Sequence, residues 1–218
     1  MSRFVAQTMA VAGPTGRLET LVEESPADPA PPSYVAVLCH PHPLFGGTLH
    51  NKVVHTLARS LRERGAATVR FNFRGVGASE GQHEGAAGET DDALAVARWA
   101  SERWPGVPLL WAGFSFGGAI AIRAAAELQP QWLVTVAPAV DRVSVEGVRM
   151  PQVPWLIVQG DADDVVSTAS VSEWAARQAP HARLRLLPGV GHFFHGHLHE
   201  LADCVREEWP LGKQKGPD

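Results

Sequence analysis

The chain has few cysteines, a single tyrosine and no surplus of positive charge. Two cysteines in 218 residues, Cys39 and Cys204, are too few and too far apart for a disulfide framework or a cysteine-based metal site. The start, Met1-Ser2-Arg3-Phe4, lacks the long apolar core of a secretory signal, so two buried thiols in a cytoplasmic setting are expected. No apolar run approaches the length of a membrane span. A formal charge of −4 gives no electrostatic reason to expect nucleic acid or an anionic membrane as partner. Charged residues make up 19% and apolar residues 45%, a globular composition, and the length fits one domain over residues 1–218. No motif bears on oligomeric state.

Taken in order, residues 4–11 and 17–23 read as two short strands around the turn Gly13-Pro14-Thr15-Gly16. Residues 25–33 form a proline-rich loop, so that 1–33 is an N-terminal strand pair with its connection. Residues 34–39 are apolar without alternation, as in a strand buried on both faces. Residues 51–64 place Val53, Val54, Leu57, Ala58 and Leu61 along one helical side. A strand at 67–73 opens into a loop at Arg74-Gly75-Val76-Gly77, whose glycine spacing does not match a dinucleotide fingerprint. Thr90 is expected to cap a helix running to about residue 104, with Asp91 and Asp92 offsetting its dipole. Strands at 132–137, 155–159 and 183–187, and helices at 167–178 and 198–209, complete the alternation; 212–218 is expected to fray. The pattern predicts an α/β fold: a mostly parallel sheet of about eight strands with helices on both faces. In such sheets reactive groups gather in the loops at the carboxyl ends of the strands.

Those ends carry the chemistry. An apolar run at 109–112 meets Gly113-Phe114-Ser115-Phe116-Gly117, and an alanine-rich helix follows. Glycines two residues either side of Ser115 permit a tight strand-to-helix turn that pushes its hydroxyl outward. A serine hydroxyl needs a base. His192, after the strand at 183–187, stands on a glycine-flanked loop at the correct end, and imidazole is the usual choice because it is basic near neutral pH. The base needs a carboxylate partner. The loop after the strand at 155–159 offers Asp161, Asp163 and Asp164.

The chain order Ser115, aspartate, His192 resembles the α/β-hydrolase superfamily over nearly the whole length. The matching stretches are Gly113–Gly117, the loop 73–79, Gly160-Asp161-Ala162-Asp163-Asp164-Val165-Val166, and Gly189–Phe194. Within it, His40-Pro41-His42-Pro43-Leu44-Phe45-Gly46-Gly47-Thr48 resembles a group of small bacterial hydrolases. The resemblance implies Asp163 as the acid, with Asp161 and Asp164 as neighbours. It also implies an oxyanion site shared between the Phe116 amide and an amide of the loop after Cys39. Pro41 and Pro43 have no N–H. His42, Leu44 and Phe45 remain, and Leu44 is preferred because it precedes the Gly46-Gly47 bend.

Ten histidines, including the group His195, His197 and His199, invite a metal reading. Without cysteine partners or a helical His-Glu-x-x-His, no metal and no other cofactor is expected. Trp99, Trp104, Trp111 and Trp155 are read as packing residues, and Arg74 and Lys52 as structural before anion-binding. Only residues 138–154 separate two core strands where a cap would be inserted, so the site is expected to lie open. The expected function is a lidless serine hydrolase of ester or related acyl bonds, acting on a small-molecule acyl substrate, with thioesterase or peptidase chemistry through the same triad, or a non-catalytic binding protein of the same fold, as alternatives.

Overall fold

A computed structural model describes residues 4–24, 31–145 and 147–208; the frayed tail expected at 212–218 and most of the proline-rich loop lie outside them. Strands β1 (Val5–Gly13) and β2 (Gly16–Glu24) form a hairpin. Then follow β3 (Tyr34–Cys39), α1 (Lys52–Arg62), β4 (Ala66–Phe71), α2 (Ala87–Arg103), β5 (Leu109–Phe114), α3 (Phe116–Glu127), β6 (Trp132–Val136), β7 (Trp155–Gly160), α4 (Thr168–Ala176), β8 (Ala182–Leu187) and α5 (Leu198–Glu208). The eight strands make one sheet in the order β1-β2-β4-β3-β5-β6-β7-β8, antiparallel at β1, β2 and β4 and parallel from β4 through β8.

The apolar runs explain the layering. Every residue of β3, β4 and β7 is buried, because helices cover both faces of a parallel sheet. Val35 and Val37 face the layer of α2, α3 and α4, whereas Ala36 and Leu38 face α1 and α5. The alternation of side chains along a strand thus divides one run between two cores. Helix α1 has the predicted apolar stripe, and Asn51 caps it by accepting from the amides of Val53 and Val54. Trp111 and Trp155 are fully buried packing residues. Cys39 and Cys204 are free and buried.

Helix α2 departs from expectation. It starts at Ala87, and Thr90 lies inside it, where its hydroxyl donates to the Ala86 carbonyl at 2.7 Å. Asp92 is not a surface group offsetting the helix dipole. Fully buried, it accepts from Arg74 Nε at 3.0 Å, Arg74 Nη2 at 2.8 Å and the Arg74 amide at 2.9 Å. Arg74 is therefore committed inside the protein, with Nη1 2.9 Å from Glu84, while Lys52 is exposed. A second buried knot joins Glu23 to Arg62 at 2.6 Å and to Arg70 at 2.8 Å.

Residues 72–80, which lead from β4 toward the site, are clamped to the hairpin. Glu19 accepts from the Ala78 amide at 2.8 Å and from Asn72 Nδ2 at 2.7 Å, and its own amide donates to Ser79 Oγ at 2.9 Å. Arg17 and Glu80 exchange a backbone and a side-chain contact. Between β6 and β7 no helix or strand forms among the described residues of 138–154, so no cap covers the sheet's carboxyl edge.

Asp92→Ala would leave the Arg74 guanidinium buried without its two-oxygen partner. Breaking such a pair costs about 3–5 kcal/mol, against about 1 kcal/mol or less for Glu24→Ala, whose partner Arg103 sits at the surface. Denaturant unfolding of the two variants is expected to separate them by that margin.

Candidate active site

The turn between β5 and α3 is built by two close approaches. A Cβ on Gly113 would lie 2.1 Å from the Gly117 carbonyl oxygen, and a Cβ on Gly117 would lie 2.3 Å from the carbonyl oxygens of Cys39 and His40. Nothing larger than hydrogen fits either gap. Ser115, between them, is held at φ 55° and ψ −120°, a strained conformation for a residue with a side chain. Its amide donates to the Val136 carbonyl and its carbonyl accepts from the amides of Gly118, Ala119 and Ala139. The backbone is fully committed on the β6 side, and the hydroxyl is left to face the carboxyl edge.

Three loops meet there. His192 Nε2 lies 3.0 Å from Ser115 Oγ, and His192 Nδ1 lies 2.8 Å from Asp163 Oδ2. Asp163 Oδ1 accepts from the amides of Val165 and Val166 at 2.9 and 2.8 Å, and Oδ2 accepts from Gln159 Nε2 at 2.9 Å. Burial works against the Asp163 charge, but the hydrogen bonds from His192, Val166 and Val165 outweigh it and hold the carboxyl below the usual aspartate range. The two neighbouring aspartates do other things. Asp161 accepts from the Gly189 amide at 2.6 Å, tying the β7 loop to the loop that carries His192, and Asp164 is exposed.

The loop after Cys39 folds as a short 3-10 turn at Pro43–Phe45. The Leu44 amide, expected to be the second oxyanion donor, is taken by His42 Nδ1 at 3.2 Å. The Phe45 and Gly47 amides both donate to the His42 carbonyl. The His42 amide donates to no described residue, and neither does that of Phe116. Leu44 and Phe45 instead turn their side chains to solvent at 70% and 85% exposure. His42 and Phe116 meet ring against ring, with centroids 4.8 Å apart.

Two supports of the site escaped sequence reasoning. Gln159 is the one polar residue closing the run Leu156-Ile157-Val158, and that interruption was its signal. His40 is fully buried beneath the loop, with Nδ1 2.6 Å from the Pro41 carbonyl and Nε2 accepting from the Phe73 amide at 3.1 Å. Both nitrogens are used, and only the neutral ring fits this pair of partners. Burial pushes its pKa down to about 4, with His42 adding to the effect and the bond to Pro41 opposing it. The histidines at 195, 197 and 199 serve the surface: His195 stacks on Phe193 and His197 lies 3.0 Å from Glu200. No group of three His, Cys, Asp or Glu side chains among the described residues could hold a metal ion.

The chain as a whole is similar to known proteins. Residues 31–151 match the family model described as serine aminopeptidase, S33. The chain belongs to the α/β-hydrolase superfamily. It is similar to a lidless α/β serine hydrolase from Xanthomonas campestris, with 39% identity, 96% of each chain covered and a TM-score of 0.88. An α/β serine hydrolase homologue from Coxiella burnetii shares 39% identity, over 93% of this chain and 97% of that one, with a TM-score of 0.87. An uncharacterized protein of Rickettsia prowazekii is 31% identical over 206 residues, which cover 89% of this chain and 85% of the relative. The α/β-hydrolase sheet without a lid is therefore the architecture of this chain, and a serine hydrolase is its class. No helix among the described residues is long and apolar enough to cross a membrane.

His40 makes the strand end sensitive to acid. Its folded pKa lies below the unfolded value of about 6.5. Above pH 6.5 neither state is protonated; as pH falls from there toward 4 the unfolded chain binds the proton first, so stability is lost in that window. The loss between pH 7.5 and 5 is expected to be about 2 kcal/mol. Thermal unfolding of His40→Gln should show a pH slope shallower by that amount, with the slope from His42 and His55, whose pKa values are also lowered, left in place.

Proposed function

We propose that the protein hydrolyses carboxylic esters or closely related acyl bonds through an acyl-enzyme on Ser115. The reading is carried by one observation, the unbroken chain Ser115 Oγ, His192, Asp163, with contacts of 3.0 and 2.8 Å. In this scheme His192 Nε2 takes the hydroxyl proton as Oγ attacks the carbonyl carbon. The carbonyl π electrons move to oxygen, and the tetrahedral species collapses by expelling the alkoxide, which leaves with the proton from His192. Water then repeats the sequence on the acyl-serine and releases the acid. Asp163 holds the Nδ1 proton in place and balances the imidazolium. Its four donors leave no lone pair free for another role.

For the oxyanion we propose the amides of Phe116 and His42. The Phe116 amide starts α3 and is aided by the helix dipole. The His42 amide replaces Leu44 because the Leu44 amide is already bonded to the His42 ring. Scission of a peptide bond is a second reading, favoured by the description of the matching family model as a serine aminopeptidase. Matched ester and amide substrates of one acyl group decide between them, the ester reading requiring the ester to turn over by far the faster.

A fluorophosphonate probe is expected to label the wild-type protein at Ser115 and to leave Ser115→Ala unlabelled; equal labelling of both would remove Ser115 from the role of nucleophile. Asp163→Asn is expected to lower kcat about 10^3- to 10^4-fold on p-nitrophenyl butanoate, because an amide NH2 turned toward Nδ1 favours the wrong tautomer. A loss below tenfold would instead mean that Asp163 does not orient the base.

A further inference from the structure

Beside the proposed oxyanion site lies a second histidine–carboxylate pair that the hydrolysis scheme leaves unused. Glu89, in the first turn of α2, is fully buried. Its Oε1 accepts from the Glu84 amide at 3.1 Å and lies 2.7 Å from His83 Nδ1. That is a close polar contact, and the second carboxyl oxygen, Glu89 Oε2, remains buried without a hydrogen-bond partner. The neighbouring cation, Arg74, is bonded to Asp92 and Glu84. The His83 ring also borders the site: its centroid lies 5.0 Å from the His42 ring and 5.9 Å from the Phe116 ring.

The two imidazoles present opposite chemistry. His42 Nδ1 accepts from the Leu44 amide, so the neutral ring carries its proton on Nε2 and donates there. With Glu89 Oε1 2.7 Å from Nδ1 of His83, the tautomer protonated on Nδ1 is the one that faces the carboxyl oxygen, and that neutral ring offers Nε2 as an acceptor. Neither Nε2 bonds to a described residue, and neither is among the buried atoms left without a partner. Burial and the nearby His83 lower the pKa of His42, against a smaller opposite pull from Glu89, which keeps its donor form in place.

A donor and an acceptor on rings 5.0 Å apart, beside the proposed oxyanion site, match one group that is both acceptor and donor. We infer that His42 and His83 form a subsite for a substrate hydroxyl, and that the natural substrate is a hydroxylated ester. The inference rests on the ester-hydrolase reading of the site. His83 is its specificity-determining residue, and Glu89 acts through His83 by fixing the tautomer.

The test uses two matched pairs at about pH 8, where imidazole is neutral: p-nitrophenyl 3-hydroxybutanoate against p-nitrophenyl butanoate, and 2-hydroxyethyl butanoate against ethyl butanoate. The full-length wild-type protein is expected to favour the hydroxylated member of at least one pair by about tenfold or more in kcat/KM. In His83→Phe, which keeps a ring between His42 and Phe116, that ratio is expected to fall to about one. Glu89→Gln, in which the tautomer is no longer held, is expected to lower it with the imidazole still present. A wild-type ratio near one in both pairs, or an undiminished ratio in His83→Phe, overturns the subsite. Fluorophosphonate labelling in the same preparations separates the two levels: a ratio of one with Ser115 labelled overturns the subsite alone, whereas absence of labelling overturns the reading of the site beneath it.

Discussion

The contact on which the site depends is the near-touch of the first turn of α3 with the ends of β3 and β5. With hydrogen in place of two side chains, the Gly117 carbonyl closes on Gly113, and the carbonyls of Cys39 and His40 close on Gly117. The strain at Ser115 persists because both sides of the turn are pinned, by these approaches and by the bonds of its backbone to β6 and the start of the next loop. A looser packing would relax the serine and withdraw its hydroxyl. The same approach brings the loop after Cys39 alongside the helix start, which is how His42 comes to rest on Phe116. The Ser115 hydroxyl and the His42 ring are thus set by one steric event.

Around that contact, polar groups are placed so that each serves as a support for the next. Gln159 and the amides of Val165 and Val166 fix Asp163, which in turn fixes His192. His40 spans from the Pro41 carbonyl to the Phe73 amide, joining the ends of β3 and β4 below the site. Arg74 and Asp92 lock the loop after β4 to α2, from which Glu89 reaches His83. Such buried groups are costly when left without partners, and most here are fully engaged. The unpartnered Glu89 Oε2 stands out for that reason.

Much of this could be read from residue pattern alone, and the misreadings share a cause. The strands, the helices and the positions of Ser115, Asp163 and His192 at strand ends follow from local periodicity and glycine placement, which act over a few residues. Asp92 looked like a surface charge because its partner Arg74 stands 18 residues away in sequence, and no local pattern encodes that pairing. Thr90 was expected at a helix start, yet the helix extends back to Ala87 because its hydroxyl bonds to the preceding turn. Leu44 was preferred for its place before Gly46, and the bond of its amide to His42 Nδ1 is a contact that this placement does not announce. Gln159, His83 and Glu89 act through tertiary contacts, and among them only Gln159 left a mark in the sequence, as a polar end to an apolar run.

The N-terminal hairpin sits at the far edge of the sheet from His192, yet Glu19 and Arg17 hold residues 72–80, from which the chain runs on to His83. One side of the site therefore takes its position from β2, and the other side from β7 and β8. The two halves of the site answer to different ends of the chain. A drift in the hairpin would move residues 72–80 and leave the loops that carry Asp163 and His192 in register, so the two sides of the site can shift independently in this fold.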